Sequence, residues 1–172
     1  MHLLNERSTV EAQAIQAKKS GKRLSLLTTE DKNHALNSLA ERLEAEFEFI
    51  LKANAKDLQA GHKKGFPEAF LDRLALSKKR IFDFAGGLRQ VAALEDPVGK
   101  ILLNKSLDNG LSVSKVSVPL GVIGMIYEAR PNVTVDATGL ALKSGNAIIL
   151  KGGSSAIHSN KAIVEVSHPP CS

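Results

Sequence analysis

A single cysteine, no tryptophan, one tyrosine and an aromatic content of 4% set the first limits on this 172-residue sequence. Cys171 has no partner within the chain, so an internal disulfide is excluded, in keeping with a reducing compartment. No apolar run approaches the ~18 residues of a transmembrane helix, and Met1 to Val10 lacks the hydrophobic stretch of a secretory signal. The expectation is a cytoplasmic chain with no membrane association. Two phosphate-binding fingerprints, G-x-G-x-x-G and G-x-x-x-x-G-K-[ST], are also missing. No set of metal ligands stands out, and no metal is expected.

What is present is ordinary for a globular protein. Hydrophobic residues make up 43% and charged residues 24%, enough for one domain with a buried core. Lysine and arginine (23) outnumber aspartate and glutamate (18), giving a net charge of +5. The excess gathers in Lys18-Lys19, Lys22-Arg23, Lys63-Lys64 and Lys78-Lys79-Arg80, each beside a helix-like segment. With few aromatic rings to stack on bases, these read as solvated helix faces, and no nucleic-acid partner is expected. An anionic small substrate suits the same charge.

Helical spacing governs the first half. An Ala- and Gln-rich stretch from about Ser8 to Ser20 predicts a helix stopped near Gly21. Thr28, followed by Glu30 and Asp31, has the signature of an N-cap with first-turn acids. Beyond it Leu36, Leu39, Ala40, Leu43, Phe47, Ile50 and Leu51 predict one long amphipathic helix. Gly61, Gly65 and Pro67 interrupt the pattern, and Phe70, Leu71 and Leu74 mark a short helical turn. Ser77 then caps a helix carrying Ile81, Phe84, Ala85, Leu88 and Val91, which ends by Asp96-Pro97 and Gly99.

From Ile101 the period changes and β-branched residues take over. Asp108-Asn109-Gly110 predicts a tight hairpin between Ile101–Leu107 and Leu111–Val118. Leu111 and Val113 share one parity whereas Val116 and Val118 share the other, so a bulge or a change of packing partner is expected near Ser114-Lys115.

Val122 to Tyr127 is almost continuously apolar, as a strand covered on both faces of a parallel sheet would be. Pro131-Asn132 turns the chain into a helix that closes at Lys143-Ser144 before Gly145-Asn146, and Ala147–Leu150 is a second buried strand. The spacing matches a βαβ unit of roughly 30 residues, so the fold class is α/β. Lys151-Gly152-Gly153-Ser154-Ser155 then leads into a helix over about Ala156–Val166. A Gly-rich, hydroxyl-bearing turn before a helix N-terminus offers unpaired N–H groups to a phosphate or dinucleotide, with Lys151 adding a cation. A turn used only for chain reversal has the same composition. Ligands bind outside the carboxyl ends of such strands, so Glu128–Asn132 and Lys151–Ser155 are expected to open on one crevice.

Three stretches carry a resemblance to a known family. They are Val118-Pro119-Leu120-Gly121-Val122-Ile123-Gly124, then Tyr127-Glu128-Ala129-Arg130-Pro131-Asn132-Val133-Thr134-Val135-Asp136, then Leu142-Lys143-Ser144-Gly145-Asn146-Ala147-Ile148-Ile149-Leu150-Lys151-Gly152-Gly153-Ser154. Together they closely resemble the gamma-glutamyl phosphate reductase family of the aldehyde dehydrogenase superfamily. Asn54-Ala55-Lys56-Asp57-Leu58 and Asp108-Asn109-Gly110 are similar to it as well, so the resemblance runs through Val166.

The resemblance implies N-terminal helices (1–97), a hairpin that serves oligomer contacts (98–120), and the start of a Rossmann-type NADP-binding domain (121–166). It also implies NADPH-dependent reduction of L-glutamyl 5-phosphate to glutamate 5-semialdehyde with release of phosphate, in proline biosynthesis. In that mechanism a cysteine thiolate displaces phosphate to give a thioester, which hydride from NADPH reduces. Asn132 matches the asparagine whose amide stabilises the oxyanion; taken alone, it also suits a helix N-cap. Lys151 matches the lysine that holds the cofactor's adenosine ribose, with Gly152, Gly153, Ser154 and Ser155 beside the 2′-phosphate; a solvated lysine at a strand end is the plain alternative. Arg130 suits the substrate's phosphate or carboxylate, or equally an ion pair with Glu128 or Asp136.

Full-length relatives continue into a catalytic domain that carries the nucleophilic cysteine, and the match here stops before Ser167-His168-Pro169-Pro170-Cys171-Ser172. A truncated chain without that domain is expected. Cys171, in a tail with two prolines and no scaffold, is a poor substitute nucleophile. An inactive fragment that acts only as an interaction or oligomerisation module is the alternative reading.

Overall fold

The computed structural model describes residues 2–168. Five helices come first: α1 (His2–Leu24), α2 (Thr29–Ala45), α3 (Phe47–Lys63), α4 (Glu68–Leu74) and α5 (Lys78–Ala93). No helix among the described residues is long and apolar enough to cross a membrane. The Pro169–Ser172 tail, and with it the expectation for Cys171, lies outside the described residues.

Two helix starts follow from side-chain chemistry. Thr28 Oγ1 accepts from the Asp31 N–H while the Asp31 carboxylate accepts from the Thr28 N–H, each at 3.1 Å, a reciprocal box that satisfies two otherwise orphaned donors. Ser77 Oγ accepts from the Arg80 N–H at 3.2 Å at the head of α5.

Two helix boundaries differ from the sequence expectation. Helix α1 does not stop at Gly21 but continues to Leu24, with the Ser25 N–H donating to the Gly21 carbonyl. Gly21 instead permits a close approach, since a Cβ there would stand 3.2 Å from the Gly121 carbonyl oxygen. The single long helix expected across 28–51 is divided at Glu46, whose φ of −101° and ψ of 22° leave the helical region. The packing partner changes there: α2 lies mainly against α5, and α3 mainly against the last helix, α7 (Ile157–Ser167).

The main core cluster is drawn from distant segments. Leu36, Leu39, Ala40 and Leu43 of α2 meet Ile50 of α3 and Ile81, Ala85 and Leu88 of α5, joined by Val135 of α6 (Asn132–Lys143) and Ile163 of α7. Gly139 in α6 is needed for this packing, because a Cβ would lie 2.6 Å from Leu88 Cδ2.

The hairpin pairs β1 (Ile101–Ser106) antiparallel with β2 (Ser112–Val116). Its loop closes with Leu107 N–H to Leu111 O at 2.8 Å and Gly110 at φ 83°, so of the three turn residues glycine alone takes the left-handed conformation. The expected irregularity is present, between Ile101 and Leu103 on the strand facing Lys115 and Val116. All residues of both strands are exposed.

Strand β3 (Val122–Tyr127), helix α6 (Asn132–Lys143) and strand β4 (Ala147–Gly152) form the parallel unit, with Val122 opposite Ala147 and Tyr127 opposite Gly152. At the end of α6 the Asn146 N–H returns to Ala141 O at 2.8 Å and Gly145 has φ 70°, a Schellman closure as the sequence suggests. A short 3₁₀ turn (Ser154–Ala156) follows β4 and leads into α7 (Ile157–Ser167). β3 is not covered on both faces, contrary to its apolar run: Val122, Gly124 and Ile126 are exposed, Ile126 at 86%. The exposed residues alternate along the strand, so it is one face of β3, that of Val122, Gly124 and Ile126, which is left open among the described residues.

Candidate functional site

Because β3 and β4 are parallel, the turns that leave them emerge at the same end of the sheet. Gly153 lies so close to the first turn that a Cβ would sit 3.3 Å from Glu128 Cα. The two sequence-predicted turns, Glu128–Asn132 and Lys151–Ser155, are therefore brought together. Lys151 and Ser154 are exposed, and Gly152, Gly153 and Ser155 are half-buried.

Gly152 is held by sterics. A Cβ would stand 2.3 Å from Asn160 Nδ2 and 3.2 Å from the Tyr127 hydroxyl. Beneath it runs a polar chain across three elements: the Tyr127 hydroxyl lies 2.6 Å from Thr134 Oγ1, which donates to Asn160 Oδ1 at 3.0 Å. Thr134 has one proton and gives it to Asn160, so Tyr127 is the donor to Thr134. Asn160 Nδ2 is left buried with no acceptor among the described residues. Gly152→Ala is expected to displace Asn160 and cost roughly 1–3 kcal/mol through overpacking. Urea unfolding of the variant checks this, and an unchanged midpoint would show that the pocket under Gly152 yields freely.

Part of the α7 N-terminus is already occupied from within the chain. Asp57 of α3, 2% exposed, accepts from the His158 N–H at 3.1 Å, from the Ser159 N–H at 2.7 Å and from Ser159 Oγ at 2.6 Å. A buried carboxylate thus occupies the positive end of the helix, where an external phosphate would otherwise be favoured. Asn54, one turn earlier, donates to Ser159 Oγ at 2.9 Å and to Leu74 O at 2.8 Å, and accepts from the Leu76 N–H at 2.8 Å. An anion at the Lys151–Ser155 turn therefore cannot use the His158 and Ser159 N–H groups, whereas Lys151 and the hydroxyls of Ser154 and Ser155 have no side-chain hydrogen-bond partner among the described residues.

On the other turn, Asn132 is the first residue of α6 and not its cap; Pro131 holds the cap position without a side-chain hydrogen bond. The Asn132 amide instead donates to Asp136 Oδ2 at 3.1 Å, which removes the N-cap reading. Arg130 is exposed and forms no ion pair with Glu128 or Asp136 among the described residues. Arg130, Pro131 and Asn132 line a cavity of about 330 Å³ together with Arg73 and Arg80.

Sequence reasoning marked Asn54 and Asp57 only as part of the resemblance, without a role, and missed Asn160. A signal for the first two was available: Ile50, Asn54, Asp57 and Gly61 recur at spacings of four, three and four, so two polar residues stand in the buried stripe of α3.

Comparison with known proteins agrees with this geometry. No protein-family model matches the chain. The fold superposes on an NAD-dependent benzaldehyde dehydrogenase from Corynebacterium glutamicum with a TM-score of 0.67 at 20% identity, over 89% of this chain and 32% of that one. The fold is that of the aldehyde dehydrogenase class. Within the class, gamma-glutamyl phosphate reductase from Thermotoga maritima aligns with a TM-score of 0.88 and 44% identity, over 91% of this chain and 38% of its own. Gamma-glutamyl phosphate reductase 2 from Bacillus licheniformis is 64% identical over 159 residues, covering 92% of this chain and 38% of that protein. Over nine-tenths of its length the chain is similar to part of the gamma-glutamyl phosphate reductases. It spans about 38% of the length of the curated relatives it matches.

Proposed function

We propose that this chain is the N-terminal portion of an NADPH-dependent reductase that converts L-glutamyl 5-phosphate to L-glutamate 5-semialdehyde with release of phosphate. Residues 1–97 serve as the helical scaffold, 98–120 as an oligomer contact and 121–166 as the start of the cofactor-binding part. The observation that carries this reading is the pairing of the two turns at the carboxyl end of β3 and β4, with Gly153 against Glu128. The names of the relatives supply the reaction, and the Corynebacterium glutamicum neighbour, NAD-dependent by its description, supports a nicotinamide cofactor.

The residues present fit such a cofactor. Lys151 is exposed at the end of β4, beside exposed Ser154 and a half-buried Ser155, so a cation and two hydroxyls stand together at the mouth of the turn. Lys151 would hold the adenosine ribose by charge-assisted hydrogen bonds, and Ser154 and Ser155 would flank the 2′-phosphate that distinguishes NADPH from NADH. A bound nicotinamide supplies the hydride. Asn132 would donate its amide to the developing oxyanion, which requires it to exchange the Asp136 carboxylate for the acyl oxygen. The nucleophilic cysteine of the full reaction has no counterpart in the described residues.

The exposed hairpin favours a second reading, in which the chain acts only through association with other subunits; Ile101 is 66% exposed and Leu111 56%. Titration of the purified chain with NADPH, followed by nicotinamide fluorescence, separates the two. Saturable binding that weakens about tenfold on Lys151→Ala, the loss expected for one charge-assisted hydrogen bond, supports the cofactor role. A folded chain that binds no dinucleotide overturns it and leaves the association reading.

A further inference from the structure

The cavity beside Asn132 contains an arginine that no motif singles out. Arg73 stands on α4, between the buried Leu71 and Leu74. Leu74 packs in one small cluster with Ala129 and Ala156, so α4 is docked on the turn that carries Arg130. Arg73 and Arg130 are thereby each one residue from a shared buried contact, and both line two adjoining cavities. The first, of about 330 Å³, also includes Asp72, Arg80 and Asn132; the second, of about 210 Å³, includes Glu128 and Tyr127.

The charges in these cavities are not equivalent. Arg80 is committed: it donates to Asp72 Oδ1 at 3.0 Å and to the carbonyls of Asp72 and Ala75 at 2.6 Å each. Neither Arg73 nor Arg130 has an ion-pair or side-chain hydrogen-bond partner among the described residues. Two free guanidinium groups therefore face one space, and the only carboxylate in the first cavity is already neutralised by Arg80. Glu128 lines the second cavity beside both arginines but not the first, so the first is where their charge faces no unpaired carboxylate.

We infer that Arg73, with Arg130, binds the phosphoryl group of the acyl-phosphate substrate, an assignment that rests on the function proposed above. Two fixed positive charges match a phosphoryl group carrying close to two negative charges better than they match a single carboxylate, and guanidinium forks suit its oxygens. The geometry agrees with the chemistry. The phosphoryl oxygen is bonded to the acyl carbon, so a carbonyl oxygen held by Asn132 puts the leaving group in the cavity that Asn132, Arg130 and Arg73 share. After cleavage of the C–O bond, the same pair holds the departing phosphate.

The test uses the chain itself with inorganic phosphate at low ionic strength, read by isothermal titration and by ³¹P linewidth. Saturable one-to-one binding is expected, with Arg73→Gln and Arg130→Gln each weakening it about tenfold, as loss of one charge-assisted contact requires. Lys105→Gln, which removes the same unit of charge from the hairpin, is expected to change it less than twofold. Arg73 is exposed, so far-ultraviolet circular dichroism and the unfolding midpoint are expected to match the parent. Phosphate binding that survives Arg73→Gln, or that weakens equally in Lys105→Gln, overturns the assignment. So does L-glutamate binding as tightly as phosphate. Failure here is distinct from failure of the cofactor reading, which is measured with NADPH and Lys151→Ala.

Discussion

Replacing Asp57 by alanine is expected to lower the unfolding free energy by about 3 kcal/mol, given ~1–3 kcal/mol for each buried donor left without an acceptor and ~0.5–2 kcal/mol for a lost helix cap. Asp57 is 2% exposed and its carboxylate receives three hydrogen bonds from the first turn of α7, two of them from backbone N–H groups. These contributions do not add in full, because removing the carboxylate also relieves the cost of holding a charge out of water. The expected loss stays near the middle of the range for that reason. Asp57→Asn keeps one acceptor oxygen but turns an amide N–H₂ toward donors, and is expected to fall between alanine and the parent. Urea denaturation checks both, with the midpoint lowered and the slope unchanged. Hydrogen exchange adds a local readout: amides of α7 lose protection before those of α2 and α5. An alanine variant within about 0.5 kcal/mol of the parent, the range of ordinary surface substitutions, would mean that the cap is not held in solution.

The second large effect concerns the join between the helices and the hairpin. Lys32 is 1% exposed, and its ammonium donates to both oxygens of Asp96, at 3.2 and 2.9 Å. Asp96 also receives the Thr29 hydroxyl at 2.9 Å and the Val98 N–H at 2.9 Å, so one carboxylate ties α2 to the segment that enters β1. Lys32→Met fills the same volume but leaves a largely buried carboxylate without its counter-ion, at an expected cost of about 3 kcal/mol. Adding Asp96→Asn is expected to recover much of this loss, since the amide oxygen can still accept from Val98 and no charge is stranded. A double variant no more stable than Lys32→Met alone would show that the methionine packs badly and that the charge is not the cause.

The pH dependence of that variant has a definite sign. Burial pushes the Asp96 carboxyl upward, but hydrogen bonds from Lys32, Val98 and Thr29, together with the Lys32 charge, outweigh it and hold the group below the usual carboxylate range. A group depressed in the folded state stabilises the protein above its unfolded value, and that stability is lost as the pH falls through the lower folded value. In the parent chain, unfolding free energy is therefore expected to decline on acidification below the ordinary carboxylate range. In Lys32→Met only burial and two neutral donors remain, so the difference between variant and parent is largest near neutrality and shrinks toward acid pH. Urea midpoints across that interval measure it; a constant difference would show that Asp96 does not titrate as described.

Much of this molecule is legible from neighbours a few residues apart. Thr28 with Asp31, Ser77 with Arg80, and Gly110 in the hairpin turn act through contacts of three or four residues, so residue type and spacing alone specify them. The apolar period likewise gives the inward faces of α2 and α5 and the strand character of Val122–Tyr127 and Ala147–Gly152. The stripe carries a further hint. Lys32 precedes Leu36, Leu39 and Leu43 at core spacing, as Asn54 and Asp57 follow Ile50, so burial of these polar groups is written in the pattern, although their partners are not.

The partners depend on where remote segments meet. Asp57 and His158 are 101 residues apart, and nothing local to either says that a helix N-terminus will be delivered to that carboxylate. Lys143 is 3% exposed and gives its protons to Asn33 Oδ1 and the Ala92 carbonyl, a pairing that arises only because α6 crosses α2 and α5. The site follows the same division. Lys151, the glycine turn and Asn132 are recognisable as a run of residues, whereas Arg73 enters only because Leu74 packs on Ala129. Caps, turns and periodicity are short-range and are determined by the sequence itself. Which buried charge is neutralised, which helix end is filled and which arginines share a cavity are decided by the tertiary packing, because each depends on the summed contacts of elements far apart in the chain.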